Sequence, residues 1–192
     1  MTATHPDASE AVVATVAPYV GACPTEAPTL TGDRIALRAI RPADVNDIVD
    51  ISVYDGVVAS CTAEARAMLQ RIVADAVRGD TVHWGITRTG SDTVVGTIGF
   101  YRGFADGTGE VGYVLRAPFR RQGLMREALG LVVAFGFRRL GLTRIVARTD
   151  PANDASIALL GSIGFEPLPS DGVTQEFGLR DGRRAVAAPP SD

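Results

Sequence analysis

The stretch Glu110–Met125, EVGYVLRAPFRRQGLM, decides the fold of this 192-residue chain. An alternating strand leads through a Pro-Phe loop into Arg120, Arg121, Gln122 and Gly123, and a long apolar helix follows. Backbone N–H groups at the start of a helix lack intrahelical partners and, with the helix dipole, they form an anion site. Because glycine has no side chain, a phosphate can approach such a turn closely. The stretch therefore predicts a pyrophosphate-binding turn, although a glycine at a helix start can also be purely structural.

Two common nucleotide-binding motifs do not describe this turn. The stretch lacks the Gly-Lys-Ser/Thr ending of a Walker P-loop. It also lacks the Gly-x-Gly-x-x-Gly fingerprint of a dinucleotide-binding fold, and three predicted strands precede it. Neither a nucleoside-triphosphate site nor a Rossmann fold is therefore expected.

Hydrophobic periodicity on both sides of the stretch predicts a single domain at residues 29–182. Its fold class is α/β, or α+β if the mixed direction of its strands is the criterion. Its sheet is expected to be mixed, with about seven strands and with helices on both faces. Residues 1–28 are predicted to be a mobile arm with one helical turn near 11–16, and residues 183–192 a loose tail. The predicted strands are 34–40, 82–88, 93–101, 110–116, 143–149, 165–168 and 173–179, and the predicted helices are 42–52, 65–77, 123–140 and 153–163.

Composition limits the classes of partner. The net charge is −3 and the pI is about 5.4, which argues against electrostatic binding to nucleic acid or to an anionic membrane. All nineteen basic residues are arginine, so a Schiff base on a protein lysine is excluded. The two cysteines form no CxxC or Cys/His cluster, so neither a metal site nor a disulfide framework is expected. A cytoplasmic location is the expectation.

Several landmarks give the chain a family resemblance. It resembles the GNAT superfamily of N-acetyltransferases. Within that superfamily, it resembles the branch that contains the ribosomal-protein N-terminal (alanine/serine) acetyltransferases. The family's signature is Gln or Arg, two residues, Gly, one residue, then Gly or Ala, and only Met125 departs from it here. The matching landmarks are Gly96–Gly99, Gly112-Tyr113, Arg120–Met125, Asn153-x-x-Ser156 and Ile163–Phe165.

The resemblance implies an acetyl-CoA site and a fold whose sheet is splayed at its centre. The strands 110–116 and 143–149 would splay apart beyond Val114, and the pantetheine arm would lie between them and pair with the backbone of residues 114–116. A backbone N–H near Leu115 would bind the thioester oxygen. Asn153 would be a cofactor ligand, a helix N-cap, or both. The expected cofactor contacts are Val114, Leu115, Arg116, Arg120, Arg121, Gln122, Gly123, Leu124, Met125 and Asn153.

The resemblance also suggests catalytic groups. Glu110 is the candidate base, directly or through water, with a solvated strand-end carboxylate as the alternative. Asp150 is a second candidate base, although Asp150-Pro151 reads first as a turn. Leu160 occupies the position where many relatives have a tyrosine acid, so Ser156, one helical turn earlier, is the candidate acid. Ser156 could instead satisfy the helix backbone.

The expected activity is transfer of acetyl from acetyl-CoA to a primary amine in a ternary complex. A protein N-terminal α-amine is the favoured acceptor. The alternatives are a small-molecule amine, either an antibiotic or a metabolite, and a non-catalytic acyl-CoA-binding module. Because relatives often dimerise, a homodimer is possible. His83 must point to the opposite face of its strand from Trp84, and the sequence assigns it no role.

Overall fold

A computed structural model describes residues 23–170 and 172–182. Eight strands form one sheet in the spatial order β1-β2-β5-β6-β7-β8-β10-β9, and β3 and β4 form a separate hairpin. This agrees with the predicted mixed sheet of about seven strands; the two-residue strands β1, β3 and β4 were not predicted because they have too little alternation to be recognised. The strands are β1 Leu30–Thr31, β2 Ile35–Arg38, β3 Val53–Tyr54, β4 Val57–Val58, β5 Val82–Arg88, β6 Val94–Tyr101, β7 Thr108–Leu115, β8 Arg144–Thr149, β9 Glu166–Pro167 and β10 Gln175–Arg180.

In the described part of the chain, four α-helices cover the two faces of the sheet, which confirms the predicted fold class. The helices are α1 Val45–Ile48, α2 Thr62–Arg78, α3 Leu124–Arg138 and α4 Asp154–Ile163. The predicted helix 42–52 is α1 between two short 3-10 segments, Pro42–Asp44 and Val49–Ile51. Predicted boundaries elsewhere agree within a few residues, since Gly79 and Gly164 end α2 and α4 in the left-handed conformation.

Alternation along the central strands separates two environments. Trp84 and Phe100 face α3 and are fully buried in the main core, as is Val111 apart from 2% of its surface. The next residues along each strand, such as His83 and Thr97, face α1 and α2. The main core is thus on the α3 side, and the opposite face is left partly open.

The sheet splays apart between β7 and β8, as the resemblance implied. These parallel strands pair only from Thr108↔Arg144 to Glu110↔Val146. Both strands continue beyond that point, β7 on β6 and β8 on β10. We call the opening beyond Glu110 the β7–β8 gap; it begins earlier along β7 than the expected position past Val114.

A buried ion pair fixes the segment that leads into α1. Arg38 donates from Nη1 and Nη2 to the two carboxylate oxygens of Asp44, at 2.7 and 2.9 Å, and from Nε to Asp92 at 2.9 Å. Burial by itself would raise the pKa of Asp44. The hydrogen bonds from Arg38 and Arg41 lower it by more than burial raises it, so the pKa lies below its ordinary value. Because burial makes an unpaired charge costly, this cluster holds α1 in place over the open face of the sheet.

The ends of the chain are described only in part. The predicted helical turn near residues 11–16 and the predicted tail at 183–192 lie outside the described residues. Residues 23–28, at the end of the predicted arm, lie against β5: Cys23 donates to the Thr81 carbonyl at 3.4 Å, and the Pro28 carbonyl accepts from Trp84 Nε1 at 2.7 Å. Across residues 23–170 and 172–182, no helix is long and apolar enough to cross a bilayer.

Candidate functional site

The turn before α3 has the geometry of an anion cradle. Arg121 and Gly123 both have positive φ, 59° and 77°, so the chain reverses sharply before the helix begins. Among the described side chains, none caps α3, whereas Asn153 caps α4 by accepting from the Ser156 N–H at 3.1 Å. The first N–H groups of α3 therefore remain available to a ligand.

Arg34, which the sequence analysis missed, lies beside this turn. It donates from its backbone N–H and from Nε to Glu127 on α3, at 2.9 and 3.2 Å, and from Nη1 to the Gln122 carbonyl at 3.0 Å. A Cβ at Gly123 would lie only 3.0 Å from Arg34 Nη2. Arg34 is 93 residues from Glu127 in the chain, so no local motif could have revealed it.

Of the other predicted cofactor residues in this stretch, some lie on the surface and others are buried in the core. Arg120 is exposed and donates from Nε to the Leu115 carbonyl at 2.9 Å. Gln122 donates from its amide to the Pro118 carbonyl at 2.9 Å, so its side chain rigidifies the turn. Leu124 and Met125 are buried in the main core, and only their backbone groups can contact a ligand. The Met125 side chain therefore points away from the anion cradle.

The edge of β7 that faces the gap carries the backbone N–H of Leu115. Arg116 donates its N–H to the Val95 carbonyl on β6 at 3.0 Å. Because N–H directions alternate along an antiparallel strand, the N–H of Val114 also points toward β6. The N–H groups of Tyr113 and Leu115 point toward the gap. The predicted donor for the thioester oxygen thus has the required direction. Arg116 Nε approaches Asp50 at 3.5 Å, joining the end of β7 to the α1 segment.

Glu110 lies at the last paired position of β7 and β8, where the gap begins. One of its carboxylate oxygens accepts from Arg102 at 2.7 Å and the other from Arg148 at 3.1 Å. A carboxylate has about four acceptor positions, so lone pairs remain for a water or an ammonium group. Its side chain is 20% exposed. Glu110 is thus partly solvated and paired with two guanidinium groups.

Ser156 and Tyr113 form a hydroxyl pair between β7 and α4. Their oxygen atoms are 2.8 Å apart, and either can be the donor. Burial raises the pKa of Tyr113 although the Ser156 hydrogen bond lowers it, so the phenol remains protonated at neutral pH. Leu160 is fully buried in the core. A tyrosine hydroxyl therefore reaches Ser156 from the strand rather than from the helix.

The two remaining candidates have local structural partners. Asp150 accepts from the Ala152 N–H at 2.7 Å, closing the turn that the Asp-Pro pair predicts. Asn153 is exposed and is the N-cap of α4.

A cavity of about 640 Å³ lies between α2 and the open face of the sheet, and we call it the α2 cavity. Its walls combine aliphatic side chains of α1 and α2 with polar groups of β5, β6 and β7. On β7 its lining includes Glu110, Gly112 and Val114, and Glu110 is also the last residue of β7 that pairs with β8. The titratable residues that line it are Tyr54, Asp55, Asp75, Arg78, Asp80, His83, Tyr101, Arg102, Glu110 and Tyr113.

The two sides of the site fit a thioester co-substrate with a diphosphate. The uncapped start of α3 and the Arg34 guanidinium match the diphosphate, and the free edge of β7 matches an amide-containing arm. Within residues 23–170 and 172–182, no cluster of three or more His, Cys, Asp or Glu side chains could hold a metal ion.

Comparisons with known proteins agree with this geometry. Residues 34–166 match the family model described as the acetyltransferase (GNAT) domain. The uncharacterized N-acetyltransferase YoaA of Bacillus subtilis (strain 168) is 31% identical over 163 residues, which cover 81% of this chain and 90% of YoaA.

Two solved structures share the fold at low sequence identity. RimL, a ribosomal L7/L12 alpha-N-protein acetyltransferase in complex with coenzyme A, has a TM-score of 0.70 and 17% identity, covering 80% of this chain and 98% of RimL. The microcin C7 self-immunity acetyltransferase MccE, in complex with acetyl-CoA and AMP, has a TM-score of 0.65 and 16% identity, covering 78% and 94%. With its splayed sheet and its uncapped turn before α3, the chain thus belongs to the GNAT family of acetyl-CoA-dependent N-acetyltransferases.

Proposed function

We propose that this enzyme acetylates a protein N-terminal α-amine by direct attack of the amine on acetyl-CoA in a ternary complex. The observation that carries the proposal is that Glu110 lies where the α2 cavity and the β7–β8 gap meet. An amine in the cavity and a thioester in the gap would therefore meet beside one carboxylate. The structural similarity to RimL, whose substrate is a protein α-amine, supports this class of acceptor.

The charge of the α2 cavity favours a cation. Four carboxylates line it, from Asp55, Asp75, Asp80 and Glu110, but only two guanidinium groups. An α-amine is mostly protonated at neutral pH, so it enters such a cavity with a favourable electrostatic energy. The aliphatic walls leave room for the first side chain of a peptide.

The proposal assigns a residue to each chemical task. Coenzyme A would supply the activated acetyl group, held by the anion cradle and by the free edge of β7. The N–H of Leu115 would bind the carbonyl oxygen, where negative charge develops. Glu110 would take a proton from the ammonium group, directly or through one water. The Ser156–Tyr113 pair would return a proton to the departing sulfur, with Ser156 as the donor and Tyr113 replenishing it.

Acetylation of a small-molecule amine is the second candidate. A volume of about 640 Å³ is typical of small-ligand pockets, and MccE shares the fold. We also propose that the enzyme acts in the cytoplasm, because Cys23 and Cys61 are both free thiols.

Thiol release from acetyl-CoA tests the proposal. The acceptors would be peptides with a free N-terminus, the same peptides with an acetylated N-terminus, and aliphatic amines of similar size. We expect release only with the free N-termini. Turnover confined to the small amines would favour the second candidate, and tight acetyl-CoA binding without turnover of any acceptor would favour a non-catalytic binding module.

A further inference from the structure

His83 is a buried polar side chain that the proposed mechanism does not use. It lines the α2 cavity, and both of its ring nitrogens are buried without a hydrogen-bond partner among the described residues. Neighbouring polar groups in the same region are paired: Trp84 donates to the Pro28 carbonyl, and Thr81 donates to the Phe100 carbonyl. An unpartnered buried imidazole lowers the stability of the fold, so it calls for a functional explanation.

Two glycines lie under the rings of His83 and Tyr101. In the sheet register, His83 pairs with Gly99, and Gly99 pairs with Gly112 at the gap. A Cβ at Gly99 would lie 2.8 Å from His83 Cδ2, so the imidazole covers this glycine. A Cβ at Gly112 would lie 3.0 Å from Tyr101 Cε2, so the phenol ring covers the next one. This row of glycines lets the two rings lean along the sheet toward the reaction site.

The resulting surface joins His83 to the β7–β8 gap. The ring centroids of His83 and Tyr101 are 5.4 Å apart and tilted by 57°. Glu110 is on the strand next to Gly99 and two residues along it from Gly112, the partner of Gly99, so it lies about 8 Å from Gly99. The first peptide group begins about 2.5 Å from the α-amine, and a hydrogen bond of about 2.9 Å at each end extends this reach to about 8 Å. A peptide with its amine beside Glu110 would therefore bring its first peptide group to the imidazole.

His83 can form either kind of hydrogen bond with that group. Burial lowers its pKa from 6.5 to about 4, so the ring is neutral at pH 7. A neutral imidazole has one N–H donor and one nitrogen acceptor. It therefore suits a peptide group, which offers both a carbonyl oxygen and an N–H, better than it suits a second charge.

We propose that His83 is an acceptor-positioning residue: its imidazole forms a hydrogen bond to the first peptide group of the acceptor and so directs the α-amine toward the gap. This inference rests on the proposed function and narrows it, because it makes the first peptide group, rather than the amine alone, part of what the enzyme recognises.

The test compares His83→Phe with His83→Gln, which keeps an uncharged donor and acceptor. With a free-N-terminal peptide, His83→Phe should raise the acceptor KM about tenfold, the effect of one lost hydrogen bond at a buried site. His83→Gln should recover most of this loss. The affinity for acetyl-CoA should not change in either variant, so that the effect is confined to the acceptor KM.

A purely structural role would give a different set of results. If His83 served the fold, His83→Phe would lower the unfolding temperature, whereas we expect an unchanged or higher one because the variant removes an unpaired polar group. An unchanged acceptor KM in His83→Phe, while the wild type acetylates peptides, would overturn the role of His83 alone. Failure of the wild type to acetylate any peptide would overturn the proposed function and this inference together.

Discussion

The two halves of the site are built in different ways. The cofactor half, from the free edge of β7 to the start of α3, is one continuous stretch that presents mainly backbone groups. The acceptor half, the α2 cavity, is assembled from side chains of α1, α2, β3 and three strands. Because backbone groups are the same in every residue, the cofactor half requires only turn geometry and a glycine. The acceptor half depends on which side chains meet.

The two halves of the site should therefore tolerate different kinds of substitution. A substitution in the cofactor half should act through geometry, so that even a neutral side chain at Gly123 is damaging. A substitution in the acceptor half should act through chemistry, so that an isosteric change at Glu110 is damaging. Four predictions, in order of decreasing effect, test this contrast.

Gly123→Trp should nearly abolish acetyl-CoA binding. The indole would displace the diphosphate from the anion cradle, where a Cβ already lies 3.0 Å from Arg34. Losing two charge-assisted hydrogen bonds of about 1.5 kcal/mol each lowers affinity about 100-fold or more. Calorimetric titration with acetyl-CoA measures the loss. Gly90→Trp is the matched control, since Gly90 has a φ of 81° and open space around it. Equal affinity in Gly123→Trp and wild type would refute the cradle.

Glu110→Gln should lower kcat about 100-fold, the usual contribution of a general base. Acetyl-CoA affinity should change little, since the contribution of Glu110 is proton transfer. The control is Glu176→Gln, because Glu176 also accepts from Arg148, at 2.9 Å, yet does not line the cavity. A pH–rate profile for Glu110→Gln that superimposes on that of the wild type would exclude Glu110 as the base.

Acid should destabilise the enzyme through His83. Burial lowers the pKa of His83 in the folded protein to about 4, below the ordinary value of 6.5, so the unfolded chain binds the extra proton between these two values. Stability contributed by this group is therefore full above pH 6.5 and decreases as the pH falls toward 4, by about 2 kcal/mol between pH 7 and 5. Urea unfolding at both pH values should show the loss in the wild type and a smaller one in His83→Phe. Equal losses would contradict the burial of a neutral imidazole.

Ser156→Ala and Tyr113→Phe should each lower kcat about tenfold, and the double variant should be little worse than either, because the two hydroxyls act as a unit. Steady-state kinetics with saturating acetyl-CoA measures this. Ser162→Ala, at a serine of α4 that only bonds the Leu159 carbonyl, is the control. Fully multiplicative effects would show that the two hydroxyls act independently.

Particular residues show how far the sequence could be read. Gly123 and the alternating strand before it were recognised because strand, turn and helix follow each other within sixteen residues, so local periodicity and turn chemistry suffice. The eighth strand and the β3–β4 hairpin were missed because two-residue pairs have no readable period. Arg34 and the Tyr113–Ser156 pair were missed because their partners are 93 and 43 residues away.

The sequence by itself determined the order of the elements, the turn before α3 and the co-substrate class, since each depends on neighbours in the chain. Only the tertiary structure decided where β7 and β8 part, which carboxylate lies at that point and which imidazole is left unpaired above a glycine. Those features depend on contacts between segments that are distant in the chain. A side chain becomes buried and gains its partners only when these segments pack together.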